Sequence, residues 1–120
     1  METIISIIQV VIALGVFNVW VLRFGKASTW RGGQAKNMKE EFAVYGFPSW
    51  FVGVIGFLKV LLAIMLLIGL WFQTLVQPAA IGIAILMLGA IVSHIKVKDP
   101  LTKSLPAFSL FLLSAIVAFF

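Results

Sequence analysis

The sequence predicts an all-α membrane protein: a four-transmembrane-helix bundle with a short amphipathic interfacial helix between spans 1 and 2. Three observations point that way. Of 120 residues, 62% are hydrophobic and only 11% are charged, and the mean hydropathy is +1.17, far above that of an ordinary soluble domain. Four stretches, residues 4–22, 50–71, 78–97 and 104–120, approach the roughly 20 apolar residues a helix needs to cross a hydrocarbon core of about 30 Å. The basic residues of the connections, finally, fall in alternate ones. No Ser/Pro/Gly linker, low-complexity tract or fixed-period repeat divides the chain, so residues 1–120 read as a single domain.

The first span opens on METIISIIQVV, which carries Glu2 and no early Lys or Arg. It lacks the basic start of a secretory signal and is expected to be retained. Between spans 1 and 2, QAKNMKEEFAVYGF sets Ala35, Met38, Phe42 and Tyr45 on one helical face, with Lys36, Lys39, Glu40 and Glu41 outside that stripe. This is the pattern of a helix lying in the interface plane, ended by Gly46 and Pro48. The alternative is a solvated charged loop. Trp30 is expected at headgroup level, and Trp50 with Phe51 anchors the second span.

Arg23, Lys26, Arg31, Lys36 and Lys39 fall between spans 1 and 2, and Lys96, Lys98 and Lys103 between spans 3 and 4, whereas FQTLVQP between spans 2 and 3 is uncharged. The positive-inside rule then puts both basic connections in the cytoplasm and both termini outside, as for a multi-pass protein of a bacterial inner (plasma) membrane. The net charge of +5 is on this reading a topology signal. It suits contact with anionic lipid headgroups and excludes nucleic acid as a partner, because there is no soluble basic surface to meet it. The fourth span is the shortest and ends with the chain, which requires an interfacial carboxylate or local thinning of the bilayer.

One residue breaks the apolar pattern. Lys59 sits in GFLKVLLAIML, nine residues past Trp50 and roughly 13 Å into the span. A charge at mid-helix costs about 2.5–3.5 kcal/mol on insertion scales, so a partner or a purpose is expected. Gly56 and Ala63 share its helical face and point it toward the bundle. With the spans antiparallel, Ser114 falls at a similar depth and Asn18 and His94 lie between that level and the cytoplasm. Lys59, Asn18, His94 and Ser114 are thus the candidate ligand-binding residues, forming a polar seam, with Gly89 leaving space near the same level. Two readings stand. In one, Lys59 runs its stem along apolar neighbours and hydrogen-bonds to Asn18, Ser114 or backbone carbonyls. In the other, it supplies a cation to an anionic or carbonyl-bearing lipid-soluble ligand.

His94, the single histidine, stands near the end of the third span, where hydrogen bonding and the helix dipole suffice to explain it. One histidine builds neither a haem nor a zinc site within one chain. Asp99 and Pro100 signal a turn, with Asp99 placed to pair with Lys96, Lys98 or Lys103. The absence of cysteine removes disulfides, thiolate metal sites and dithiol redox chemistry. No paired carboxylates lie in the spans, no nucleophile sits beside a base in any recognisable motif and no phosphate-binding glycine loop is present, so neither catalytic residues nor a metal site are assigned.

The order of an amphipathic segment, YGFPSW, GFLKVLLAIMLLIG and SHIKVKDPL resembles the DoxX-like family of small four-helix membrane proteins. The likeness rests on Gly46 and Pro48, Gly56 with Lys59, and His94 with Asp99 and Pro100. HIKVKDPLTKSLPA is also similar to the animal branch that includes the receptor chaperone NACHO. Some family members carry an acid where this chain has Lys59, and the role of that acid does not transfer. The resemblance implies two different roles. One is an accessory protein that packs with a membrane-protein partner or as a homo-oligomer and holds a quinone-like or lipid ligand. The other is a subunit of a quinone-linked membrane oxidoreductase. Shared architecture does not choose between them.

Overall fold

In a computed structural model of the chain, residues 2–22 and 37–120 are described. Every regular element among them is helical: α1 (Glu2–Phe17) continued by a π-helical segment (Asn18–Leu22), α2 (Met38–Val44), α3 (Ser49–Ile68), α4 (Val76–Lys96) and α5 (Leu105–Phe119), with 3-10 turns at Gln73–Leu75 and Leu101–Ser104. α1 with its π-helical continuation, α3 alone, and α4 with the preceding 3-10 turn are long and apolar enough to cross a membrane, and α5 is a shorter apolar helix. Of the interfacial segment's expected stripe, Ala35 lies outside the described residues, as do Trp30 and the basic residues at 23, 26, 31 and 36.

The helices form a closed ring in which α1 touches α3 and α5, and α4 touches α3 and α5. Small residues bring the axes together. Ala13, Ala63, Ala79 and Ala80 are fully buried, and an added Cβ at Gly82 would lie 2.9 Å from Leu62. Ile12, Leu66, Val76, Ile83, Met87, Val117 and Ala118 fill the end nearest the uncharged α3–α4 connection. Two polar side chains tie that end. Gln9 donates from Nε2 to the Leu66 carbonyl at 2.9 Å, and Gln77 to the Ala118 carbonyl at 3.0 Å. In hydrocarbon such bonds satisfy backbone carbonyls that water cannot reach.

The outer surface is apolar. Ile4, Ile7, Leu14, Phe57, Ile85, Val92 and Phe108 all face outward, and no more than a third of each long apolar window is buried inside the bundle. Such a belt is what lipid contact requires and far exceeds the apolar patches of soluble monomers. The chain is an integral membrane protein.

α2 begins and ends by recognisable local chemistry. Asn37 caps it, its Oδ1 accepting the Glu40 amide at 2.9 Å, and Glu40 and Glu41 stand at the positive end of the helix dipole. At the other end Gly46 takes φ +88°, the Gly46 amide bonds to Ala43 O and the Phe47 amide to Phe42 O. This is a Schellman motif, completed by contact between the Phe42 and Phe47 rings at 5.9 Å. The chain reverses there and Pro48 enters α3 in extended conformation.

Candidate functional site

α4 ends in the same motif, and its closure builds part of the site. The Lys98 amide bonds to Ile95 O and the Asp99 amide to His94 O, both at 3.0 Å, with Lys98 at φ 59°. Turning the backbone this way folds Asp99 back over the last turn, where its Oδ2 lies 2.8 Å from His94 Nδ1, both side chains being 6% exposed. Beyond the lysine pairings expected of Asp99, the structure gives it this buried partner, because the left-handed residue at 98 aims the next side chain at the helix. A carboxylate at this distance fixes the proton on Nδ1 and leaves Nε2 for another partner.

Tyr45 packs edge to face against the same ring. Its hydroxyl lies 3.3 Å from Nε2 and 3.4 Å from Nδ1 of His94, and it donates to Glu41 Oε1 at 2.8 Å. Glu41 and Tyr45 are one turn apart on α2 and both are buried. The expectation that Glu41 lies outside the buried stripe is thereby corrected: the inward face of α2 comprises Glu41, Phe42 and Tyr45. α2 is also fastened to α4 by Lys96, whose Nζ donates to the Tyr45 carbonyl at 2.9 Å and stands over the Phe47 ring at 5.5 Å.

Behind these groups the bundle is hollow. A cavity of about 640 Å³ occupies the half nearest the basic connections, within the usual size range of small-molecule sites. Its polar lining includes Asn18, Glu41, Tyr45, Lys59, His94 and Lys103, and its apolar lining includes Val16, Trp20, Phe51, Met87 and Leu110. Lys59 is 7% exposed, and its Nζ stands over the Trp20 ring, 5.0 Å from the centroid. A cation against an indole face recovers part of the hydration lost on burial, and the Glu41 carboxylate adds its field at the ammonium. Gly56 makes the Trp20 position possible, since a Cβ there would come within 2.8 Å of the ring. Gly89 lines the cavity as open space, with nothing within 4 Å of where its Cβ would be, and the Ser93 hydroxyl turns back to bond the Gly89 carbonyl at 2.9 Å.

Three of the four candidate residues, Lys59, Asn18 and His94, therefore line one cavity. Asn18 does so at the start of the π-helical segment, and it is exposed. Ser114 is fully buried in α5, is not among the cavity-lining side chains, and among the described residues its Oγ has no hydrogen-bond partner. Glu41, Tyr45 and Trp20 join the site without having been expected there. The one-turn spacing of Glu41 and Tyr45 was an available signal for the first two; Trp20 had none, because its place depends on a glycine of another helix. Among the described residues no cluster of His, Asp and Glu is arranged to hold a metal ion.

No curated protein and no solved structure matches the chain. The sequence model of the DoxX-like family matches residues 7–119, nearly the whole chain and every element of the ring. The protein, built as an all-helical membrane bundle around a mostly apolar cavity with Lys59 on its wall, belongs to the DoxX-like family.

Proposed function

We propose that this DoxX-like protein is a single-domain membrane accessory protein that holds a carbonyl-bearing amphiphile, quinone-like or lipid, beside Lys59 and packs with a membrane-protein partner or a second copy. The observation that carries this reading is a nearly buried lysine on the wall of an otherwise mostly apolar cavity inside a membrane protein. An intramembrane cation of this kind is a binding-site hypothesis by default. The lining fits a flat, weakly polar ring: Trp20 and Phe51 offer aromatic walls, and the Lys59 ammonium is a donor of the kind a carbonyl oxygen accepts. A quinone, when bound, supplies two-electron, two-proton chemistry.

In this reading the protein lies in a bacterial inner membrane with α5 as the fourth span, the basic connections in the cytoplasm and both termini outside. The charge asymmetry of the connections supports that orientation. α5 and the preceding 3-10 turn together span 19 residues, from Leu101 to Phe119, close to the length a thin bilayer needs.

The test is extraction of small molecules from detergent-purified wild type and Lys59→Met, identified by mass spectrometry. A quinone or lipid retained by the wild type and depleted at least tenfold in a Lys59→Met protein of unchanged helicity is the expected result. Equal retention by both overturns the site. The second reading, a quinone-linked oxidoreductase subunit, is favoured by the buried Glu41–Tyr45–His94–Asp99 chain beside the cavity. Co-purification of a redox partner whose quinone reduction is lost in Lys59→Met selects it.

A further inference from the structure

We propose that the cavity opens sideways into the bilayer between α3 and α4, so that a membrane-dissolved amphiphile enters head first beside Lys59 and leaves its tail in the lipid. The nature of the head group rests on the ligand site proposed above, whereas the opening rests on packing alone. α3 and α4 meet closely at Leu62 and Gly82, where an added Cβ would lie 2.9 Å from the Leu62 side chain. The two helices run antiparallel. About two turns nearer the basic connections, Ile55 therefore stands level with Gly89. There the contact is lost: nothing lies within 4 Å of a Cβ built on Gly89.

The cavity follows that gap outward. On α4, Met87 and His94 are buried on the interior side, Leu86 and Ser93 lie on the flank that Gly82 turns toward α3, and Ile85 and Gly89 are exposed. All six line the cavity. With 3.6 residues per turn, these positions sweep without a break from the interior, through the α3 side, to the outer surface. Leu88 and Ile91, on the flank toward α5, do not line it. On α3, Phe51, Ile55 and Lys59 follow one another at one-turn spacing along the edge that continues to Leu62. Lys59 thus stands one turn beyond Ile55, between the open and the closed part of the seam.

Among the described residues, the exposed members of the cavity lining fall in two pairs. Asn18 and Pro106 stand at the end of the first span and in the first turn of α5, at the level of the basic connections, where water and head groups are met. Ile85 and Gly89 stand 11 and 7 residues before Lys96, which places them about 16 and 10 Å into the span, at hydrocarbon depth. The rim there is apolar, formed by Phe51, Ile55, Ile85 and Gly89. A hydrated entrance and a lipid entrance at different depths suit a molecule with two unlike ends. Its polar group meets the Lys59 ammonium, its tail crosses the apolar rim, and the cavity of about 640 Å³ has only the head to enclose. The site therefore selects the head group and is indifferent to the length of tail beyond the rim.

The experiment uses the full chain, which has no cysteine of its own, in lipid vesicles, with Met87→Cys as a reporter on the inner wall. One probe is N-hexadecylmaleimide, which stays in the bilayer and whose ring carbonyls and long tail make it an amphiphile of the proposed kind. The other is a small sulfonated thiol reagent that stays in water. Gly89→Trp fills the mouth from a position with open space, and Leu88→Trp adds the same bulk to the outward face that does not line the cavity. Gly89→Trp is expected to slow the alkyl maleimide by about tenfold or more while the sulfonated reagent keeps its rate, since thiol modification follows access. Leu88→Trp is expected to change neither rate. An unchanged alkyl maleimide rate in Gly89→Trp overturns the lateral mouth. Equal slowing of both reagents also overturns it, since they would then share one entrance. Ser93→Cys, nearly isosteric and on the same cavity wall, serves as the reporter if Met87→Cys fails to fold. Lys59→Met in the reporter background separates this proposal from the ligand site. An alkyl maleimide rate that falls in Gly89→Trp but not in Lys59→Met keeps the mouth and removes the head-group contact; the reverse overturns the mouth and keeps the contact.

Discussion

Lys98 shows how one residue's backbone decides where chemistry is placed. At φ 59° it adopts a conformation that costs a non-glycine residue roughly 1–2 kcal/mol, and the return is the bond between Asp99 and His94. Its side chain is exposed, so substitutions report on the backbone. Lys98→Val should lower stability in detergent by about 1 kcal/mol or more, and Lys98→Gly should match or exceed wild type; thermal unfolding of the two variants checks the order. At Gly56 the limit is space rather than conformation. Gly56→Ala should destabilise by about 1–3 kcal/mol by driving Cβ into the Trp20 ring, and should change the tryptophan fluorescence with it. Lys59 and His94 were legible in the sequence because a charge or an imidazole within an apolar run breaks the pattern. Asp99 was read as a surface residue because the left-handed C-terminal cap normally announces itself by Gly or Asn, and here a lysine holds it. Counting gives Ser114 a depth along its helix but leaves its rotation open, and the residue is fully buried away from the cavity lining.

Among the elements, α2 differs from the others: it is seven residues long, too short to be stable alone, and is held by its caps and its docking. Asn37 closes one end and Gly46 the other, while Tyr45 and Lys96 join it to α4. Gly46→Ala should therefore cost about 1 kcal/mol through the strained left-handed conformation. The loss should concentrate in α2, seen as faster hydrogen exchange of the amides of residues 41–47 than of the α3 amides. Uniform acceleration across both helices would mean that α2 and α3 open as one unit. The four apolar helices were legible from hydropathy and length, as was the shared face of Phe42 and Tyr45. The inward direction of Glu41 was not, since a charged side chain reads as solvent-facing. The Glu41–Tyr45 spacing of one turn carries the opposite message only once the site is known to be buried.

The molecule as a whole divides into a dense half and a hollow half. Alanines and aliphatics close the end near the uncharged connection, and larger rings and polar groups surround open space near the basic one. The sequence suggests an inward-facing lysine and, at Gly89, space beside it, but not the extent of the cavity, because that is set by which side chains fail to meet and depends on the crossing of all four helices. The chain's lack of cysteine makes the division measurable. Gly89→Cys places a thiol on the cavity wall without collision, and Phe57→Cys places one on the outward apolar face. In membrane vesicles exposing the basic connections, a small water-soluble thiol reagent should modify the first at least tenfold faster than the second, because only a hydrated thiol ionises and reacts. Comparable rates, or faster reaction at Phe57→Cys, would contradict a water-accessible cavity inside the bundle.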